Sequence, residues 1–320
     1  MTAKPLVIAI AGPTATGKTD AAVAVCKALD GEVISMDSMQ IYKGFDLGTA
    51  KPDAKEMDGI AHHMLSFVPP SERYSVAQYQ QDARSIMKDV LYRNRLPVFA
   101  GGTGLYLQAV GHPLSFAQAV GTDVLRSELE AEAAGPDGVM RLHRRLEAID
   151  PKAAARLHPN NTRRVIRALE VCLQTGRPIS DQQGDWEAES EEDWLVFALT
   201  WPREVLYARI NHRVELMVES GLIEEVASLL EQGVPRDAQA MQAIGYKEVV
   251  QLLDGNSSRA DAIETLKRNT RRYAKRQLTW LRRDPRVRWI DVSSFSSAQA
   301  LHQDLIHQIA VYKEKRDVEG

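Results

Sequence analysis

Residues 11–19 read AGPTATGKT: Gly12, four residues, then Gly17-Lys18-Thr19. This spacing lets successive backbone N–H groups of a loop converge on phosphate oxygens at the start of a helix. Lys18 adds a mobile cation there, and the Thr19 hydroxyl is placed to ligate Mg²⁺. Two other short stretches carry chemistry-bearing types. Asp37-Ser38 follows the run EVISM, where Asp37 fits a helix cap, a metal-holding carboxylate or a catalytic base equally well. Gly101-Gly102-Thr103-Gly104 fits a tight turn or a substrate contact. The adjacent His62-His63 pair points two ways from one backbone and lacks carboxylate spacing, so it reads as structural or as a minor binding contact.

These residues need a frame that brings them together. Leu6–Ala11 is an apolar run bounded by glycine and reads as a buried parallel strand, followed by a helix over 18–29. Strands are expected at 32–37 and 97–100, with a helix over 75–94 between them. That alternation predicts a parallel sheet with helices on both faces, and active residues beyond the carboxyl ends of its strands. Asp37, Thr103 and the phosphate loop all fall at such ends. Residues 122–177 are rich in Arg, Ala, Glu and Leu and read as wholly helical. Strands then return at 195–201 and 287–292, with helices over 203–232, 237–253 and 260–283 and another near the end. The expected organisation is an α/β core from 1–115 and 195–320, with a helical insertion at 116–194.

With 320 residues, 44% hydrophobic and 26% charged, the chain has room for such a core plus an appendage. Two cysteines, Cys26 and Cys172, exclude a disulfide framework or a four-ligand zinc site. No apolar run approaches the ~20 residues of a membrane span, and no signal peptide is expected, so the chain reads as cytosolic.

The net charge of −3 averages segments of opposite sign. From Lys267 to Arg288 there are ten basic residues against Asp284 alone, and 141–167 is a second basic stretch. The loop from 181 to 193 is acidic. A charged helix face is ordinarily solvated and laced with ion pairs, but here no local anion balances it, which favours a polyanionic partner. Tyr273, Trp280 and Trp289 interleave as stacking surfaces for unpaired bases. Along 260–283, Ile263, Leu266, Thr270, Ala274, Gln277 or Leu278, and Leu281 form the inward stripe. A phosphate-loop kinase would explain residues 1–110 and leave this helix idle.

Over nearly its whole length the sequence resembles the bacterial tRNA dimethylallyltransferases (tRNA isopentenyltransferases). The resemblance rests on AGPTATGKT (11–19), SMDSMQIYKGFDLGTAKP (35–52), HHMLSF (62–67), FAGGTGLYL (99–107), HPNNTRRVIRALEV (158–171), AIGYKE (243–248) and KRQLTWLRR (275–283), in that order. It departs at 111–122, GHPLSFAQAVGT, where the family more often has a Leu-Pro-Ala-Asp type of sequence.

The resemblance implies a P-loop NTPase-like α/β fold with an inserted all-helical domain that contacts tRNA. It further implies transfer of the dimethylallyl group from dimethylallyl diphosphate to N6 of the adenosine just 3′ of the anticodon, in tRNAs reading codons that start with U. Gly12, Pro13, Thr14, Ala15, Thr16, Gly17, Lys18 and Thr19 would hold the diphosphate, with Arg213 as a further contact and Thr19 placing Mg²⁺. Asp37 would face the reacting amine, with Thr103 near the reaction centre and Ser38, Met39 and Gln40 along the flipped base. The tRNA-binding set would include Arg126, Asn161, Thr162, Arg163, Arg164 and Val165. It would continue with Gln242, Ala243, Ile244, Gly245, Tyr246 and Lys247, and with Lys275, Arg276, Gln277, Leu278, Thr279, Trp280, Leu281 and Arg282. The tRNA anticodon stem-loop and dimethylallyl diphosphate are the expected partners of a cytoplasmic monomer.

Overall fold

The structure is a computed structural model that describes residues 4–112, 123–181 and 190–319. The segment 113–122, which covers most of the atypical stretch, and 182–189 of the acidic loop lie outside the described residues. Two compact units emerge: Met1–Gly111 with Ser190–Gly320, and His112–Glu189.

The first unit is built on six strands: β1 (Leu6–Ala11), β2 (Gly31–Ser35), β3 (His62–His63), β4 (Leu96–Gly101), β5 (Asp193–Thr200) and β6 (Val287–Asp291). They pair in parallel in the order β3-β2-β4-β1-β5-β6. β1 is buried at every residue, as a central strand covered on both faces must be. The helices in chain order are α1 (Lys18–Leu29), α2 (Ala54–Met57), α3 (Val76–Tyr92), α4 (Gly104–Gly111), α5 (Asp123–Ala134), α6 (Gly138–Ile149), α7 (Pro151–Arg156), α8 (Thr162–Thr175), α9 (Arg203–Glu219), α10 (Leu222–Glu231), α11 (Tyr246–Leu253), α12 (Arg259–Leu281) and α13 (Ala298–Glu319). One face of the sheet buries Ile8, Ile10, Val33, Val98 and Phe197 against Ala21 and Val25 of α1 and Leu301, Leu305 and Ile309 of α13. The other buries Val7, Ala9, Ile34, Phe99 and Val196 with residues of α3, α4 and α9–α12. The period of two along each strand assigns alternate residues to the two cores.

In the second unit, Leu129, Leu142, Leu146, Val165, Ile166 and Leu169 of α5, α6 and α8 form a separate core. α6 and α8 supply it from one apolar stripe each.

The expected helix over 203–232 is two helices, broken at Ser220-Gly221, where Gly221 has φ of 103°. The helix expected over 237–253 starts only at Tyr246, after a short 3₁₀ turn at Ala240–Gln242 and an extended Ala243. Their apolar spacing runs through both breaks, so periodicity alone hides them.

His62 and His63 form the edge strand β3, where His63 Nε2 lies 2.7 Å from Glu32 and His62 Nδ1 lies 2.9 Å from the Ile60 carbonyl. Glu32 is buried and also accepts from Arg93 (2.8 Å) and Arg95 (2.9 Å). The Arg93 hydrogen bonds hold its carboxyl well below the usual carboxylate range, against the opposing effect of burial. Glu32→Gln is expected to cost about 2 kcal/mol at neutral pH, because its arginine partners reach water and re-solvate. The lowered pKa means this contribution is fully present above the unfolded carboxyl's pKa, near 4.3, and is lost as pH falls below that. Urea unfolding of both proteins at pH 7 and at acid pH should therefore show the gap narrowing in acid.

Candidate active site

A cavity of about 430 Å³ opens at the carboxyl ends of β1, β2 and β4 and brings together part of the predicted set of the first unit. Thr14, Ala15, Gly17, Lys18 and Thr19 line one wall. Gly12, Pro13 and Thr16 form the buried back of the loop, which closes on itself: Thr16 Oγ1 donates to the Pro13 carbonyl at 2.9 Å and Lys18 Nζ donates to it at 2.7 Å. α1 begins at Lys18, so its free N–H groups and positive dipole end face the cavity. Arg213, from α9, adds a second cation to the wall. Burial, reinforced by Arg213, lowers the Lys18 ammonium to about 7, with Asp37 partly opposing.

Asp37 sits just past β2 and lines the same cavity. Its Oδ1 accepts from the N–H of Met39 (2.9 Å) and Gln40 (3.4 Å). It therefore caps a turn, not a helix as one sequence reading had it, and its other oxygen is left for a ligand. Burial raises its pKa, while the Met39 N–H and the Lys18 charge pull the other way. Thr103 stands behind: its Oγ1 accepts from the Ser38 N–H at 3.3 Å and its own N–H donates to the Met36 carbonyl at 3.1 Å. The glycines around it admit α12. A Cβ on Gly102 would lie 2.0 Å from Gln277 Nε2, which donates to the Gly102 carbonyl at 3.0 Å, and one on Gly104 would lie 3.0 Å from Trp280 Cβ.

Sequence reasoning missed a third wall. Ile210, Val214 and Met217 of α9, with Ile244 and Leu266, make it apolar. The signal was present as i, i+4, i+7 spacing on α9, beside Arg209 and Arg213 at i, i+4, but nothing local says that this face meets a cavity. Also missed was the loop Gly48–Ala50, which lines the cavity and is held from α10. There the Glu225 carboxylate accepts from the N–H of Leu47 (2.8 Å) and Asp46 (3.2 Å) and from the Tyr246 hydroxyl (2.6 Å).

An anion grip, a half-buried carboxylate and an apolar wall thus share one hollow, and the sequence around them matches the IPP transferase family over residues 40–284 and the isopentenyl transferase family over residues 5–67. The chain belongs to the IPP transferase family. It is 48% identical over 303 residues to a tRNA dimethylallyltransferase of Pelotomaculum thermopropionicum, covering 94% of this chain and 95% of the relative. A second, from Halalkalibacterium halodurans, is 50% identical over 291 residues, covering 91% and 92%. Among solved structures, the full-length tRNA isopentenylpyrophosphate transferase of Bacillus halodurans is 47% identical, with a TM-score of 0.73 and 98% of both chains covered. A eukaryotic dimethylallyltransferase captured acting on tRNA is 30% identical, with a TM-score of 0.80, covering 94% of this chain and 78% of the other.

The residues that the family resemblance carries over to RNA divide by burial. Ser38, Met39, Gln40, Gln242, Ala243, Ile244, Lys247, Arg276 and Gln277 line the same cavity as Asp37. The Gln40 amide is already committed: Nε2 donates to the carbonyls of Thr49 (3.2 Å) and Ala50 (3.1 Å), and Oε1 accepts from Ser35 (3.2 Å). Lys275, Thr279 and Arg282 are exposed on α12 and its end. The side chains of Val165, Tyr246 and Leu281 are buried in the cores, while Leu278 packs with Leu206 and Ala274 and Gly245 precedes α11. In the helical unit, Asn161, Arg163 and Arg164 are exposed at the start of α8, Thr162 is half-buried, and Arg126 pairs with Glu130 at 3.2 Å.

The basic helix also differs from its sequence reading. Lys267 pairs with Glu215 of α9 at 2.7 Å, Arg271 donates to Asn211 of α9, and Arg286 pairs with Asp284 at 2.7 Å. One distant anion, Glu215, and the neutral amide of Asn211 thus engage part of the run, and Asp284 pairs locally. Arg276 instead lies 5.5 Å over the Tyr273 ring at the cavity, and Arg283 lies 5.9 Å over Trp280. Trp289 lies on the edge strand β6, within the strand expected over 287–292.

Proposed function

We propose that this chain transfers the dimethylallyl group of dimethylallyl diphosphate to N6 of the adenosine immediately 3′ of the anticodon, in tRNAs reading codons that start with U, releasing diphosphate. The observation that carries the reading is the shared cavity, which is lined together by the phosphate loop and Arg213, by Asp37, and by the apolar Ile210, Val214 and Met217, suited to a five-carbon tail.

In this reading the loop N–H groups, Lys18 and Arg213 hold the diphosphate and stabilise the charge that grows on it as the allylic C–O bond breaks. The N6 lone pair forms the new C–N bond from the far side. Asp37 accepts the N6–H hydrogen bond and takes the proton. Tyr273 and Arg276 offer a flat surface for a base pulled from its stack, which costs a few kcal/mol to extrude. Mg²⁺ fits the residues present: Thr19 puts a hydroxyl on the wall, and no group of three or more His, Cys, Asp or Glu among the described residues forms a metal cage. That donor set suits an ion bound mainly through substrate phosphates and water. When bound, the ion would offset charge on the leaving diphosphate. Among the described residues no helix is long and apolar enough to cross a membrane, in keeping with a cytoplasmic enzyme, which we further propose works as a monomer.

The deciding experiment incubates unmodified tRNA with protein, Mg²⁺ and dimethylallyl diphosphate and analyses the nucleosides by mass spectrometry. N6-isopentenyladenosine next to the anticodon is expected. Turnover of a triphosphate without tRNA, and no use of the prenyl donor, would overturn the reading.

Two further outcomes follow from the site. With a pKa near 7, Lys18 is largely neutral at pH 8.5 in the free protein, and a bound anion raises its pKa again. Binding of pyrophosphate at that pH should then take up more protons in the parent than in Lys18→Met, read by calorimetry in buffers of different ionisation enthalpy. Reversing charge at the exposed Arg272 and Arg276 should raise KM for tRNA about tenfold or more, and steepen its salt response less than in the parent. Unchanged tRNA binding would displace the RNA surface from α12.

A further inference from the structure

Within the phosphate loop, positive φ occurs at Gly12, Gly17 and one residue with a side chain, Ala15, at 66°. A left-handed alanine is disfavoured and persists where its surroundings hold it. Those surroundings are visible. Ala15 packs in a cluster with Leu206 and Ile210 of α9 and Ala274 of α12. Its carbonyl accepts from Arg209 Nε at 2.9 Å, and the Arg209 guanidinium is itself seated 4.9 Å from the centre of the Trp201 ring. Arg209 is one helical turn from the cavity-lining Arg213, yet it is not among the residues lining that cavity. It touches the backbone of the loop instead.

A trans peptide sets C=O and the following N–H antiparallel. With the Ala15 oxygen drawn to Arg209, the Thr16 N–H points the opposite way. Were the peptide to turn over, it would present a carbonyl where an anion needs a donor. Resting on the diphosphate reading of this loop, we propose that Arg209 is a positioning residue. By holding the Ala15 carbonyl it fixes the Ala15–Thr16 peptide, so that the loop presents N–H groups to the leaving diphosphate before the donor arrives.

The test separates donor affinity from everything else. Arg209→Met should raise both KM for dimethylallyl diphosphate and the dissociation constant of inorganic pyrophosphate by about tenfold, the worth of one charge-assisted hydrogen bond. KM for tRNA and kcat at saturating donor should stay within about twofold. Arg209→Lys, which keeps a donor and a charge, should lose less. Ala15→Gly placed in the Arg209→Met background should recover part of the loss, because glycine enters the left-handed region freely. A positioning effect should also persist undiminished at high salt, whereas a direct ion contact fades. Unchanged donor KM, a shift in tRNA KM instead, no recovery by glycine, or a defect that salt erases would each overturn the proposal. Wild-type protein that binds neither pyrophosphate nor the donor would sink the diphosphate reading itself, and this inference with it.

Discussion

Asp37→Asn is expected to lower kcat by about 10³, in the range lost with a general base, while tRNA affinity changes by less than about threefold. The replacement is chosen because an amide oxygen still accepts from the Met39 and Gln40 N–H groups that Asp37 now satisfies at 2.9 and 3.4 Å. The turn carrying Ser38–Gln40 is therefore retained, and what disappears is the capacity to take a proton. Burial raises the Asp37 pKa, and the Met39 N–H and the Lys18 charge restrain that rise. Single-turnover rates with preformed tRNA complex, set beside filter-binding constants, give the two quantities separately. Near-normal turnover would refute the base role, and a large loss of tRNA binding would make Asp37 a docking residue.

Gly12→Ala should have the largest effect on the folded state. Gly12 has φ of 142°, where side chains are rarely accommodated, and a Cβ there would lie 2.5 Å from the Leu199 carbonyl and 3.3 Å from its N. Leu199 belongs to β5, whose ladder with β1 runs through Ala11 and Ala198. The clash is therefore with backbone that cannot turn aside without opening the central strand pair. Backbone strain of about 1–3 kcal/mol and overpacking of similar size together predict a loss of about 3–5 kcal/mol. That is a large share of the stability of an ordinary domain. Urea unfolding should show the midpoint falling sharply, and whatever protein remains folded should bind pyrophosphate poorly. A variant with wild-type stability would mean that the loop has another backbone path past β5.

Several features were readable in the sequence because short-range geometry determines them. The bounds of β1 and α1 follow from an apolar run ending at a glycine loop and from a helix that starts where that loop must present its N–H groups. The spelling of residues 12–19 marks an anion grip, because its glycines and the helix start after them are local. The parallel sheet follows from alternation of strand and helix, and the placement of Asp37 and Thr103 beyond strand ends follows from the sheet. Ordered motifs along the chain pointed to the family.

Other features depended on partners far apart in sequence. The apolar stripe of α9 reads as that of any amphipathic helix until the fold sets it in the same cavity as Asp37. The cations Lys267 and Arg271 look unpaired along α12 until α9 brings Glu215 and Asn211 beside them. Nothing near Gln40 in sequence shows that its amide donates to the carbonyls of Thr49 and Ala50. Ala15 gives no hint of its left-handed backbone, because the residue that holds it is 194 positions away. The sequence by itself determined which groups could do the chemistry, since those requirements are met within a few residues. Only the tertiary structure decided which of them remain free to do it, because a charge or an amide is spent on whichever neighbour packing supplies.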